Sequence, residues 1–185
     1  MTYISPINHT FPDPVATKLR RALYYSNVEI DPRKAISYYK QALELADELR
    51  MNPFSDEIIG IKITLAAMLE KVGQFKKSIE VLEIVRADCN KWIESVGATP
   101  EMAGDRGRIL KKTTGIGVKL GELYSNEYVD DPEAAEKNLV EAVEVCLKEE
   151  NRRRVEGVKE GEGEWLSSEE IGGSLEGMFR FLCLE

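Results

Sequence analysis

The chain has 185 residues, 43% of them apolar and 31% charged, with 25 Lys and Arg against 33 Asp and Glu and a net charge of −8. This is the composition of an ordinary globular domain or repeat array, long enough to bury a sizeable core. It argues against a nucleic-acid binder, which needs clustered cations to neutralise phosphates, and no run of about 18 apolar residues is present to span a bilayer.

Residues 1–13, "MTYISPINHTFPD", have no periodicity, two prolines and no charged segment leading into an apolar one. They read as an extended arm and not as a signal peptide. The first predicted helix runs from about Pro14 to Val28, with Leu19, Ala22, Leu23 and Ser26 inward. Asp31-Pro32 opens a second helix that reaches about Arg50, and Pro53 ends the connection after it. A third helix, roughly Asp56 to Val72, turns Ile58, Ile61, Leu65, Ala66 and Leu69 inward. Gly73-Gln74-Phe75 makes a turn, and a fourth helix carries Ser78, Leu82, Val85 and Cys89 on one side. The fifth, roughly Arg106 to Asn126, buries Ile109, Leu110, Ile116, Leu120, Gly121 and Tyr124. Asp131-Pro132 opens the sixth.

Residues 152–166 read as a flexible charged and Gly-rich linker, and the run Arg152-Arg153-Arg154, followed at once by "EGVKEGEGE", reads as a solvated loop. Residues 167–185 begin with Ser167-x-x-Glu170, a capping box. Ile171, Leu175, Met178, Phe179 and Leu182 then give an amphipathic seventh helix. It either caps the array or is the start of a unit cut short.

The second, fourth and sixth helices repeat one pattern. "LYYSNVEIDPRKAISYYKQALELA" (23–46) and "LYSNEYVDDPEAAEKNLVEAVEVC" (123–146) share Asp-Pro and an offset of 100, so that Ala35, Tyr39, Ala42 and Ala46 match Ala135, Leu139, Ala142 and Cys146. Ser78, Leu82, Val85 and Cys89 repeat the same steps of four, three and four, which trace one stripe on an α-helix. Upstream of Asp-Pro the offset is 99, so the later copy holds one extra loop residue. Proline just inside each helix start lacks only an N–H that has no partner there, and Asp31 and Asp131 are N-caps.

Chemical motifs are sparse. The single histidine, His9, lies in the arm and has no Ser, Cys or Asp set to work with. "GIGVKLG" (115–121) has helical residues before it and no preceding strand, so its glycines serve close helix packing and not a phosphate loop. Asp130, Asp131 and Glu133 lack the calcium-loop glycine and are explained by capping and first-turn charge. Cys89, Cys146 and Cys183 are far apart and read as small buried hydrophobes. No cofactor is expected and the chain reads as a non-enzyme.

Three helix-turn-helix units with small residues at matched positions resemble the tetratricopeptide repeat (TPR): Gly121 and Tyr124 fit its first-helix pattern, and Ala35, Tyr39 and Ala42 its second. The spacings of 43 and 57 residues between positions 35, 78 and 135 exceed the family period of about 34. The expected fold is therefore all-α: a TPR-like α-solenoid of three helix pairs with long helices over residues 14–151, plus the C-terminal helix. The resemblance implies a concave peptide-binding face built from first helices. Carried over, its residues are Arg20, Tyr24 and Asn27, then Ile63, Ala67 and Glu70, then Val118, Glu122 and Asn126.

"LRRALYYSN", "DPRKAISYYKQALELADEL", "NPFSDEIIGIKITLAAMLEKVGQFKKSIEVLE" and "WLSSEEIGGSLE" resemble the Mgr3-like group, the fungal TPR adaptor subunits of the mitochondrial inner-membrane i-AAA protease. That resemblance implies an adaptor that holds unfolded or extended polypeptide for the protease, on the intermembrane-space side, with a membrane anchor upstream of this segment. The other reading is an assembly scaffold, of the respiratory-chain assembly-factor or motor light-chain kind, that binds no client peptide.

Overall fold

A computed structural model describes residues 11–167 together with 169, 172 and 173. The described residues are all-α, with no strand. Six α-helices follow one another: α1 Asp13–Asn27, α2 Pro32–Glu48, α3 Asp56–Lys71, α4 Phe75–Glu94, α5 Ala103–Tyr124 and α6 Pro132–Glu156. Two 3₁₀ turns, Val96–Ala98 and Pro100–Met102, lead into α5. Of the expected seventh helix only residues 169, 172 and 173 are described beyond Ser167, and all three are helical; the rest of it, with His9 and Cys183, lies outside the described residues. The chain forms two compact units, Met1–Val81 and Leu82–Glu185, with the boundary inside α4.

The three repeated stripes are buried throughout. Ala35, Tyr39, Ala42 and Ala46 are at most 2% exposed, and Ala135, Leu139, Ala142 and Cys146 at most 3%. Ser78, Leu82, Val85 and Cys89 behave likewise. The small residues let paired helices approach, and the larger second residue fills the space behind them.

In the first unit α1 and α2 form a hairpin, and α3 packs next against α2. Val15, Leu19 and Ala22 of α1, Tyr39 and Ala42 of α2, and Ile61, Leu65 and Leu69 of α3 share one core. Tyr39 fills the centre, and its buried hydroxyl, which needs a partner, meets Ser26 Oγ at 3.4 Å. Ser78, at the start of α4, donates to the Ala66 carbonyl of α3 at 2.8 Å, so this small polar residue is buried with its hydroxyl satisfied. Gly73 takes φ 73 in the turn between α3 and α4, a left-handed conformation that suits glycine.

In the second unit α5 and α6 form the matching hairpin. Asp31 Oδ1 accepts from the Lys34 N–H and Asp131 Oδ1 from the Ala134 N–H, so both N-caps are formed as the sequence implies. The loops before them close the same way. The Asp31 N–H donates to the Tyr25 carbonyl and the Asp131 N–H to the Tyr124 carbonyl, each at 3.0 Å. The extra residue of the later copy is taken up at Asp130, which adopts a left-handed φ of 53.

Boundaries differ from expectation in three places. α2 stops at Glu48, and Arg50 takes a positive φ of 54 that ends the helix before Pro53 is reached. α5 begins at Ala103, a turn earlier than Arg106, because the 3₁₀ turn at Pro100–Met102 feeds directly into it. α6 runs to Glu156, so Arg152, Arg153 and Arg154 are helical and not in a loop. Arg152 and Arg153 are largely buried in ion pairs, which corrects the reading of this run as solvated. Composition favoured solvation because the cancelling acids follow immediately. The folded chain brings one of those acids, Glu162, back onto Arg152 and Arg153.

Candidate functional sites

On the first helix of each pair, the residues that do not face the core form the candidate recognition surface. On α1, Arg20, Tyr24 and Asn27 are exposed, at spacings that place them on one side of the helix. Tyr24 stays 45% exposed and meets Tyr25 edge-on at a centroid distance of 5.3 Å. Asn27 donates to the Leu23 carbonyl of its own helix. On α3, Ala67 is exposed, and Ile63 and Glu70 are half-buried. α1 and α3 belong to the same unit, and the Lys71 ammonium reaches the Ser26 carbonyl at 3.5 Å, a cation set at the C-terminal end of α1 where the helix dipole favours it.

In the second unit Val118 is half-buried on α5 and Glu122 is exposed. Glu122 pairs with Lys119 at 3.1 Å. Asn126 lies beyond the end of α5, where its side-chain oxygen accepts from the Tyr128 N–H at 3.0 Å and its carbonyl from the Val129 and Asp130 N–H groups. Asn126 thus builds the loop before α6.

The glycines of "GIGVKLG" divide into two kinds. A Cβ on Gly117 would lie 3.1 Å from that of Ala142, and Gly121 is closer still to Leu139. Both glycines therefore let α5 sit against α6. Gly115 has open space around it. α4 adds to the same region: Arg86 donates to Asn138 at 2.5 Å and Glu141 at 3.2 Å. The Tyr124 hydroxyl donates to the Glu83 carboxylate, and burial, then that carboxylate, push the phenol up to about 12. The hydroxyl is a fixed donor and not an acid–base group at neutral pH.

Sequence reasoning missed the most charged buried cluster. Glu149, with its side chain 2% exposed, accepts from Arg106 of α5 at 3.2 Å and from Arg152 and Arg153 of its own helix at 2.6 and 2.9 Å. Burial alone would raise its pKa, but the three guanidinium groups outweigh that and bring it down to about 2. Residues beyond α6 fold back onto the same arginines: Glu162 meets Arg152 at 2.6 Å, and Arg153 lies over the Trp165 ring at 5.4 Å. The legible signal was Glu149 standing three and four residues before Arg152 and Arg153, neighbours on a helix surface. Among the described residues no group of His, Cys, Asp and Glu is placed to hold a metal ion. No described helix is long and apolar enough to cross a membrane. Cys89 and Cys146 are buried.

No family model matches the chain, and no solved structure matches it. A stretch of 71 residues, 37% of the chain, is 37% identical to the Saccharomyces cerevisiae protein described as "Protein MRG3-like", of whose length it spans 15%.

Proposed function

We propose that the chain is a protein-interaction adaptor that binds unfolded or extended polypeptide and presents it to a mitochondrial i-AAA protease complex. One observation carries this reading. In each helix pair the second helix buries its stripe, while the first keeps a mixed apolar and polar surface in reach of solvent. Tyr24 and Ile63 supply apolar contact, and Arg20, Asn27 and Glu70 supply polar groups around them. Val118, Glu122 and Asn126 are the corresponding residues of the second unit. Such a mixture lacks a dense cationic clamp for one terminal carboxylate, and so favours broad over end-specific recognition. The partial match to the yeast protein described as "Protein MRG3-like" is in keeping with a protein-interaction role. The protease and the intermembrane-space side come from the resemblance of the sequence motifs and are part of the proposal.

Binding of single peptides should be in the micromolar range or weaker, about −8 kcal/mol or less favourable. The test is a peptide array probed with the wild-type chain and with a Tyr24→Ala/Ile63→Asp double variant. The variant should lose most of the signal on partly apolar peptides. Retention by the variant, or selection of free acidic C-termini alone, would sink the reading and leave the assembly scaffold. A pull-down from mitochondria separates the two further: protease subunits support the adaptor, and assembly intermediates without them support the scaffold.

A further inference from the structure

Three guanidinium groups converge on one carboxylate at the end of α6. Glu149 fixes Arg106, Arg152 and Arg153 in place, but cancels only one of their charges. The side of this group that faces residues 157–166 therefore keeps a positive surplus. The chain itself fills that side. Glu162, its side chain 2% exposed, takes Arg152 Nη2 at 2.6 Å. The Gly163 carbonyl accepts from Arg153 Nη1 at 2.8 Å. The Trp165 ring then stacks with the Arg153 guanidinium. Residues 162–167 lie in neither helix nor strand, and after the turn that closes at Glu162 they offer in order a carboxylate, a backbone carbonyl and an aromatic ring. Arginine clusters bind extended acidic segments through the same kinds of contact.

Three features mark this occupant as an imperfect one. Arg152 Nη1 is buried and has no hydrogen-bond partner, so its desolvation is uncompensated. Glu149 and Glu162 together also leave one of the three cationic charges unbalanced. Further, the strap holds Gly157, Gly161 and Gly163, with Gly157 and Gly161 at φ 82 and 84. Ordering glycine loses more backbone freedom than ordering any other residue. Against that entropy the strap is held by these polar contacts, by the Trp165 ring over Arg153 and by the Gly161 backbone set close against Gly104 of α5.

We propose that the Arg106–Arg152–Arg153 face is a binding site for an acidic peptide with a following aromatic residue, occupied in this structure by the chain's own residues 162–165. A partner segment that brings a second carboxylate satisfies Arg152 Nη1 and balances the charge. It binds by displacing the strap. The tethered strap competes at an effective concentration on the order of millimolar, so the site is masked toward weak ligands and open to a stronger one. This site is independent of the α1 and α3 surface.

The test uses the full chain and a labelled peptide copying residues 158–166, VKEGEGEWL. A Glu162→Ala/Trp165→Ala variant should bind it with Kd on the order of 10 μM, and the wild type on the order of a hundredfold more weakly, near the effective concentration of the strap. Glutamine in place of the peptide's second glutamate should lower binding to the variant by about tenfold, because a neutral amide loses the charge-assisted bonds. A folded variant, checked by circular dichroism, that binds no peptide overturns the proposal. Should the variant fail to fold, 5-fluorotryptophan in the wild type decides. The Trp165 resonance, assigned with Trp165→Phe, should shift saturably as peptide carrying an added acidic residue is titrated. No shift up to several times the effective concentration of about 1 mM overturns the proposal. Tyr24→Ala/Ile63→Asp should leave both readouts unchanged, so failure here and failure of the adaptor reading are distinguishable.

Discussion

Gly121 of α5 stands so close to Leu139 of α6 that a Cβ would lie 2.5 Å from the leucine Cγ and 3.3 Å from the Ala135 carbonyl. Gly121→Ala should therefore destabilise by about 1 to 3 kcal/mol through overpacking. Gly115, on the same helix with nothing near its Cβ position, should respond in the opposite sense. Gly115→Ala should stabilise by about 0.5 to 1 kcal/mol, the usual gain of alanine over glycine inside a helix. Urea midpoints of the two variants check the pair, and a shift of the same sign in both would contradict the packing described.

Ala42 and Ala142 occupy equivalent buried positions in α2 and α6. Ala42→Trp and Ala142→Trp should each lower stability by about 1 to 3 kcal/mol, since neither site has room for an indole. Melting temperatures unchanged within error would place these positions on the surface.

The two N-caps give a matched pair of smaller effects. Asp31→Ala and Asp131→Ala each leave a first-turn N–H without its side-chain acceptor, and each should cost about 1 kcal/mol. Asparagine at either position should recover most of the loss in the same denaturation assay, because its side-chain oxygen accepts equally well.

Glu149 makes stability depend on acid. Its pKa in the fold is about 2, against 4.5 for the free side chain. The stabilisation is fully present above about pH 4.5 and is lost as pH falls toward 2. Glu149→Gln removes that dependence and leaves three arginines without their shared anion, at a cost of about 3 to 5 kcal/mol at neutral pH. Denaturation midpoints between pH 7 and 2 should converge for the wild type and the variant at the acid end.

Much of the helical framework was legible because a stripe stepping four, three and four needs only local geometry. Every residue of the three stripes is buried, and the serine among them, Ser78, is tolerated because the Ala66 carbonyl takes its hydroxyl proton. The end of α2 was misplaced because a left-handed Arg50 leaves no compositional trace. The ion cluster was missed for a different reason. Arg106 and Glu149 are 43 residues apart, and Glu162 reaches Arg152 only because the chain reverses after Gly157. The recognition residues came from family positions and not from periodicity. Solvent reaches Arg20, Tyr24 and Asn27, whereas Asn126 already spends its side chain on a turn.

Asp130 shows how a chain built from copied hairpins can vary in length without losing register. Both loops are clamped at their ends by the same bond from the Asp-Pro aspartate to a tyrosine carbonyl, so a residue gained between the clamps cannot shift the helices that follow. It is confined to one left-handed kink, a conformation that aspartate accepts more readily than most residues. Deleting Asp130 returns the later loop to the length of the earlier one while keeping its own cap, Asp131. The stretch between tyrosine and Asp-Pro is therefore a slack joint, where insertions and deletions are absorbed while the packed faces on either side stay fixed.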